Sequence, residues 1–383
     1  MIVYSRQFQV LAWLVILTVV ATTTVFMVRQ LDTSFDVHVT RSIKIDPDHS
    51  KSAESQNIWR AIANSPAKNV AVITTDDDGS YLIHLTDANI QKIGIRCSGN
   101  STAWSNTGEF FVGRHSKRPG DVGPLQLYSL QKKQVVAETD DTWTNDIAWL
   151  NETVFISATH FPSGDVDGFH TPSVYRVNDM GEQGIDLQRE ISVNVSSYSD
   201  QVEVTDLTGV PLLLVNSTPP TIWTTVGDHD LRGWRQTLEL RKIWSRGTFC
   251  LARYGGRGVV VWYKLNGSAS ETGEAQSRNK LISAFEITLD SGSGNFGFID
   301  LWTHDLGIDT EWSHLKGLGT IAVTADGSYC AIIERSEMKL FDMKNGTSPA
   351  EYSGGFVGVS VSSDSSEVTL LSDDGRVLVV AWD

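Results

Sequence analysis

Two hydrophobic patterns divide the chain. Val10 to Val28 (VLAWLVILTVVATTTVFMV) is unbroken by charge or proline, and a helix needs about 20 such residues to cross a bilayer. The threonines at 22–24 can bond back to helix carbonyls, and Trp13 suits an interfacial ring. From about residue 58 the pattern changes. Apolar runs become short and either alternate with polar residues or fill consecutive positions, which is strand period and strand length. Asp-Gly, Asn-Gly and Gly-Gly pairs between the runs supply hairpin-turn chemistry. No long amphipathic helix pattern follows the N-terminal stretch, so the expected class is all-β behind one transmembrane helix.

One unit recurs through this region. A turn followed by an apolar strand reads NSPAKNVAVITT at 64–75, SNTGEFFVG at 105–113, LNETVFISA at 150–158 and TDLTGVPLLLV at 205–215. It returns as SRGTFCLAR at 245–253, TADGSYCAII at 324–333 and SSDSSEVTLL at 362–371, seven copies in all. A second strand follows each copy, from SYLIHLTD at 80–87 to RVLVVAWD at 376–383. The interval is broadly that of four-stranded propeller blades, about 40–50 residues, with one wider gap. A single sheet cannot bury both of its faces; sheets set radially bury them against each other. The expectation is a seven-bladed β-propeller.

The sequence resembles WD-repeat propellers, with TolB-like propellers a close second, over roughly 58–383. ADGSYCAIIERSEMKLFDM and DSSEVTLLSDDGRVLVVAWD carry the likeness, the latter ending in Trp382-Asp383. The Gly-His dipeptide is absent and most units lack Trp-Asp, so the family's buried Asp/His/Ser/Trp network is not transferred. The resemblance implies protein partners.

The last unit has strands near 356–361, 367–372 and 376–382 and no fourth. FDVHVTRSIKI at 35–45 alternates well and is expected to complete that blade as its outer strand, since an unpaired edge invites aggregation. The rival is a free juxtamembrane stalk. The expected organisation is a tail and signal-anchor at 1–31, a linker with the closing strand at 32–57, and the propeller at 58–383. Residues 266–280 read as an exposed loop, and 290–316 as an insertion between the fifth and sixth blades.

Charge bears on placement. The net charge is −15; residues 1–31 hold Arg6 and Arg29 and no acid, so the remaining 352 residues carry −17. That balance argues against nucleic acid and favours partners with basic patches. Arg6 and Arg29 flank the apolar stretch almost evenly. A short N-terminal tail is most easily left in the cytoplasm, so a single-pass protein with its bulk outside the cytoplasm is expected. The rival is a cleaved signal peptide, with Val19 and Ala21 as small residues before the cut. Cys97, Cys250 and Cys330 are an odd number in apolar runs and read as buried thiols. Six N-x-S/T sequons, at Asn100, Asn151, Asn194, Asn216, Asn266 and Asn345, exceed the roughly three expected by chance. They suit a secretory surface, or equally a Ser/Thr-rich chain in a host that never glycosylates.

Candidate chemistry is sparse. HFPSGDVDGFH brings His160, Asp165, Asp167 and His170 within eleven residues, a set able to ligate zinc or a harder ion. The spacing matches no closed motif, and Asp167-Gly168 is ordinary turn chemistry. Asp76-Asp77-Asp78-Gly79 starts like a calcium loop, but position 12 is Asp87 rather than glutamate, so a hairpin turn is expected. Asp228-His229-Asp230 has no identifiable nucleophile beside it. The sequence holds no Gly-x-Ser-x-Gly elbow, phosphate loop, dinucleotide fingerprint or HExxH. Most of the twelve tryptophans sit at repeat positions; Trp234, Trp302 and Trp312 are the candidates for exposed contact. The expectation is a membrane-anchored interaction or scaffold module without a cofactor. The alternative is an extracytoplasmic enzyme or ligand receptor with its site at the central channel mouth.

Overall fold

The computed structural model describes residues 37–45, 59–75, 79–93, 95, 103–114, 124–139, 146–149, 151–160, 170–181, 184–192, 202–207, 210–215, 221–225, 234–239, 248–254, 257–266, 278–289, 296–309, 321–324, 326–334, 336–361 and 366–382. Between 190 and 281 only the backbone course of the strands is described. Val37–Trp382 is one compact unit; Met1–Asp36 and Asp383 belong to another, outside the described residues. The Val10–Val28 stretch lies there too. No helix among the described residues is long and apolar enough to cross a membrane.

The described residues contain twenty-eight strands in seven four-stranded sheets, every pairing antiparallel. The chain opens with β1 (Val37–Lys44). The first sheet then forms from β2 (Trp59–Asn64), β3 (Val70–Thr75), β4 (Gly79–His84) and β5 (Ile90–Ile93). The second takes β6 (Ala103–Trp104), β7 (Phe110–Arg114), β8 (Leu125–Ser129) and β9 (Gln134–Glu138). The third takes β10 (Asp146–Trp149), β11 (Val154–His160), β12 (His170–Asp179) and β13 (Ile185–Ser192). The fourth takes β14 (Val202–Leu207), β15 (Val210–Val215), β16 (Thr221–Thr225) and β17 (Trp234–Glu239). The fifth takes β18 (Thr248–Tyr254), β19 (Arg257–Asn266), β20 (Arg278–Leu289) and β21 (Phe296–Asp309). The sixth takes β22 (Ile321–Val323), β23 (Tyr329–Glu334), β24 (Glu337–Asp342) and β25 (Ala350–Ser353). The seventh takes β26 (Phe356–Val361), β27 (Glu367–Ser372) and β28 (Arg376–Trp382), with β1 as its outer strand.

Burial explains the sequence pattern. Inner strands are covered on both faces and read as continuous apolar runs: β3 is buried at every position, and β28 at all but Arg376. Outer strands are wetter: β9 has no buried position, and β1 has only Ile43. The core lies between sheets. Ile62, Ile73 and Ile83 of the first sheet pack with Leu371, Val377 and Val379 of the seventh. Val72 and Leu82 pack with Phe111 and Tyr128 of the second, and Val112 and Leu127 with Phe155 and Tyr175 of the third. Each fully buried side chain of this size contributes about 1.5–3 kcal/mol, so each sheet is stable through its neighbours.

The sheets close into a ring. The first strands lie side by side in the order β2, β6, β10, β14, β18, β22, β26, and β26 returns to β2. Across that seam the Asn64 backbone N–H donates to Ser360 Oγ at 2.9 Å, and Asn64 Nδ2 donates to Thr369 Oγ1 at 2.6 Å. β1 then pairs with β28 from Val37 opposite Trp382 to Lys44 opposite Arg376, with a bulge between Val39 and Arg41.

One expectation changes. The segment 290–316 is not simply an insertion: Phe296–Asp309 is β21, paired along the whole of β20. Trp382, the described residue of the terminal Trp-Asp, stands beyond the end of its strand ladder with β27. Asp342 of β24 faces Tyr329, the first residue of β23, whereas the residue facing Glu367, the first of β27, is Ala381. Trp382 takes the place of Met343, each donating its backbone N–H to the last turn residue before its partner strand.

Candidate functional site

Strand direction sorts the connections onto two faces. Turns from first to second strand and from third to fourth leave one side of the ring. Turns from second to third strand, and the links to the next sheet, leave the other.

Among the described residues, the first side is built from short, bonded turns. In the second sheet the Ser105 backbone N–H donates to Phe110 O at 2.8 Å, and its Oγ accepts the Phe110 N–H at 3.1 Å. Gly108 at φ +67° completes that turn, a conformation side chains disfavour. Thr324 repeats the device in the sixth sheet: it donates to Tyr329 O at 2.9 Å and accepts the Tyr329 N–H on Oγ1 at 3.0 Å. Ser105 and Thr324 are both buried, so each of these turns is fixed from inside.

Neighbouring turns are also tied together. Lys68 Nζ of the first sheet donates to Glu109 Oε2 of the second at 3.1 Å. Glu109 Oε1 accepts Ser129 Oγ and the Gln131 N–H, both at 3.0 Å. Burial pushes the Glu109 pKa up, but the bonds from Lys68, Gln131 and Ser129 prevail and hold it below the usual carboxylate value. Thr107 Oγ1 reaches Glu152 Oε2 of the third sheet at 2.6 Å. Sequence reading did not single out Glu109 or Asn64. Asn64 bonds partners 296 and 305 residues away, and Glu109 bonds Lys68 41 residues away. No local pattern carries such pairings.

The opposite side carries the long connections. Segments 115–124, 161–169, 193–201, 267–277 and 310–320 each join strand ends there, and each is longer than any connection on the bonded side. The polar stretch at 266–280 supplies one of them. His160 and His170 are direct cross-strand partners at the neck of the β11–β12 hairpin. Asp165 and Asp167 lie outside the described residues, as do Asp76-Asp77-Asp78, Asp228-His229-Asp230 and Trp312. Among the described residues no group of three or more His, Cys, Asp or Glu could hold a metal.

The remaining candidates scatter. Trp234 opens β17, with its backbone alone described. Trp302 is half-buried rather than exposed, because it serves as a clamp between sheets: its Nε1 donates to Met343 O at 2.9 Å and its ring stacks on Phe341. Cys330 is a buried free thiol whose pKa burial drives upward, an inert core group. Cys250 lies in β18, and Cys97 is outside the described residues.

No family model matches the sequence, and no curated protein matches it either. Solved structures do match. Hydrazine synthase of Kuenenia stuttgartiensis aligns at a TM-score of 0.57 with 15% identity, over 88% of this chain and 98% of that one. The Cps50 (Swd1) β-propeller domain of Myceliophteria thermophila aligns at 0.57 with 12% identity, over 90% of this chain and 99% of that one. At such identities the likeness is one of fold. The chain is all-β with the fold of a propeller.

Proposed function

We propose that this protein is a seven-bladed propeller, held to a membrane by Val10–Val28, that docks protein partners outside the cytoplasm. Seven four-stranded sheets whose first strands run in an unbroken cycle support the blade count. The uncharged apolar stretch supports the anchor. Fold alone does not assign activity, since the structural neighbours include an enzyme.

The observation that carries docking is the asymmetry of the faces. One side is tied down by Ser105, Thr324 and Glu109, while the connections longer than any of its turns all gather on the other. Long connections displayed by a rigid scaffold are where binding surfaces are built. The partner presents basic patches, because the chain outside residues 1–31 is strongly acidic. The test places photo-crosslinking residues singly in 161–169, in 267–277 and in the 130–133 turn of the full chain in intact membranes. A discrete adduct from the first two and none from the third is the expected result. Adducts from the turn alone would place docking on the wrong face, and none from any position would end the interaction reading.

A further inference from the structure

Two of the six sequons fall among residues with described side chains, and both are exposed turns on the bonded side. Asn151 lies in the β10–β11 turn and Asn345 in the β24–β25 turn. Asn151 Oδ1 accepts the Thr153 N–H at 2.9 Å and Thr153 Oγ1 at 3.2 Å. Asn345 Oδ1 accepts the Thr347 N–H at 2.8 Å and Thr347 Oγ1 at 2.7 Å.

The turn itself does not require this pair of residues. It needs one side-chain oxygen to receive the N–H two positions on, and aspartate supplies that oxygen repeatedly in this chain. Asp87 receives the Asn89 N–H, Asp179 that of Gly181, Asp326 that of Ser328, Asp342 that of Lys344 and Asp374 that of Arg376. The second residue in those turns varies freely. Where asparagine replaces aspartate in the described turns of this kind, threonine stands two positions on both times. The N–H bond that makes the turn therefore needs neither the amide nitrogen nor the hydroxyl, although each hydroxyl bonds the asparagine oxygen and the Asn345 amide also donates to Asp342 Oδ2 at 3.4 Å.

We propose that Asn151 and Asn345 carry asparagine-linked oligosaccharides, an assignment that rests on the extracytoplasmic placement of the propeller. The donor is an oligosaccharide joined to a lipid through a diphosphate. A bond forms from Asn Nδ2 to the anomeric carbon as the anomeric C–O bond breaks. The lipid diphosphate leaves with that electron pair, and the amide proton passes to a base of the transferase. The folded chain accommodates the product because both asparagines face solvent.

Translation of the full chain with microsomal membranes tests this, with protease protection and endoglycosidase treatment on the same sample. N151D and N345D keep the turn oxygen and replace the amide nitrogen by a carboxylate oxygen, which at 345 also gives up the 3.4 Å bond to Asp342. The expected result is a protected chain whose mobility endoglycosidase increases. Each single variant should lose one mobility step and the double variant two, while N178D, outside any sequon, loses none. A protected chain in which neither variant loses a step overturns the glycan assignment and leaves the placement standing. A chain open to protease overturns the placement and the assignment with it.

Discussion

Gly346 shows how a single missing side chain joins two blades. It turns the chain between β24 and β25 at φ +71°, directly beneath Trp302 and His304 of the preceding blade. A methyl group there would lie 2.4 Å from His304 Nε2 and 2.7 Å from the Trp302 ring. The same ring holds Met343 O through its indole nitrogen, so the clamp cannot shift without losing that bond. Gly181 turns at φ +62° with nothing within 4 Å of its would-be methyl. Both Gly→Ala substitutions should carry the strain of a left-handed alanine, on the order of 1–3 kcal/mol. Only Gly346→Ala adds the collision. Urea unfolding should therefore show a larger midpoint loss for Gly346→Ala than for Gly181→Ala; equal losses would mean that the Trp302 clamp yields freely.

At the scale of the strand, β1 is the least buried element of its sheet and depends on its end contacts. Lys44 Nζ donates to Asp374 O and pairs with Asp374 Oδ2 at 3.4 Å. Arg376 Nε approaches the same carboxylate at 2.8 Å. The Ser372 hydroxyl first, then the Arg376 N–H and the two cations, outweigh partial burial and lower the Asp374 pKa to about 2. Unfolded aspartate titrates near 3.9, so the contribution of this group is complete above about pH 4. It declines as pH falls toward 2, when the folded carboxylate takes up its proton. The carboxylate is 43% exposed and screened, so the effect is modest. The urea midpoint of the wild type should exceed that of Asp374→Asn at pH 6, and the gap should shrink to a small fraction of that value by pH 2, where the folded carboxylate is half protonated. A gap as large at pH 2 as at pH 6 would show that charge is not what Asp374 contributes. Strands of this kind were legible to different degrees. Alternation in 35–45 marked β1, and continuous apolar letters marked β3 and β28, because burial on one or two faces writes itself into composition. β21 was missed since Trp302, His304 and two bulges against β20 break its alternation. The pairing of His160 with His170 was invisible because register depends on the partner strand, and the Lys68–Glu109 link because it joins separate blades.

For the molecule as a whole, closure determines where the chain can be cut. β1 precedes the first sheet in sequence yet belongs to the seventh, and Thr40 Oγ1 bonds Val379 O across 339 residues. Val37 stands opposite Trp382 in the ladder, so the beginning of β1 and the end of β28 are neighbours in space. A linker of about 2–5 residues is enough to turn them into an ordinary hairpin. New termini could then open within 46–58, the connection from β1 to β2. Such a permutant begins before β2 and ends after β1, so every blade becomes contiguous in sequence. It exchanges the 46–58 link between two sheets for a linker within the seventh, leaving six links around the ring where the native order has seven, and if the strand pairing is what closes the ring its stability should be close to that of a chain from 32 to 383. A chain from 46 to 383 lacks β1 altogether. It bares the edge of β28, whose Val377 to Trp382 are all buried in the complete blade, and an apolar edge of that kind recruits other strands. Light scattering and unfolding curves separate the three: monomeric, cooperative behaviour from the permutant and the 32–383 chain, self-association from the 46–383 chain. If the permutant also aggregates while the 32–383 chain does not, covalent entry through 46–58 rather than the strand itself maintains the ring.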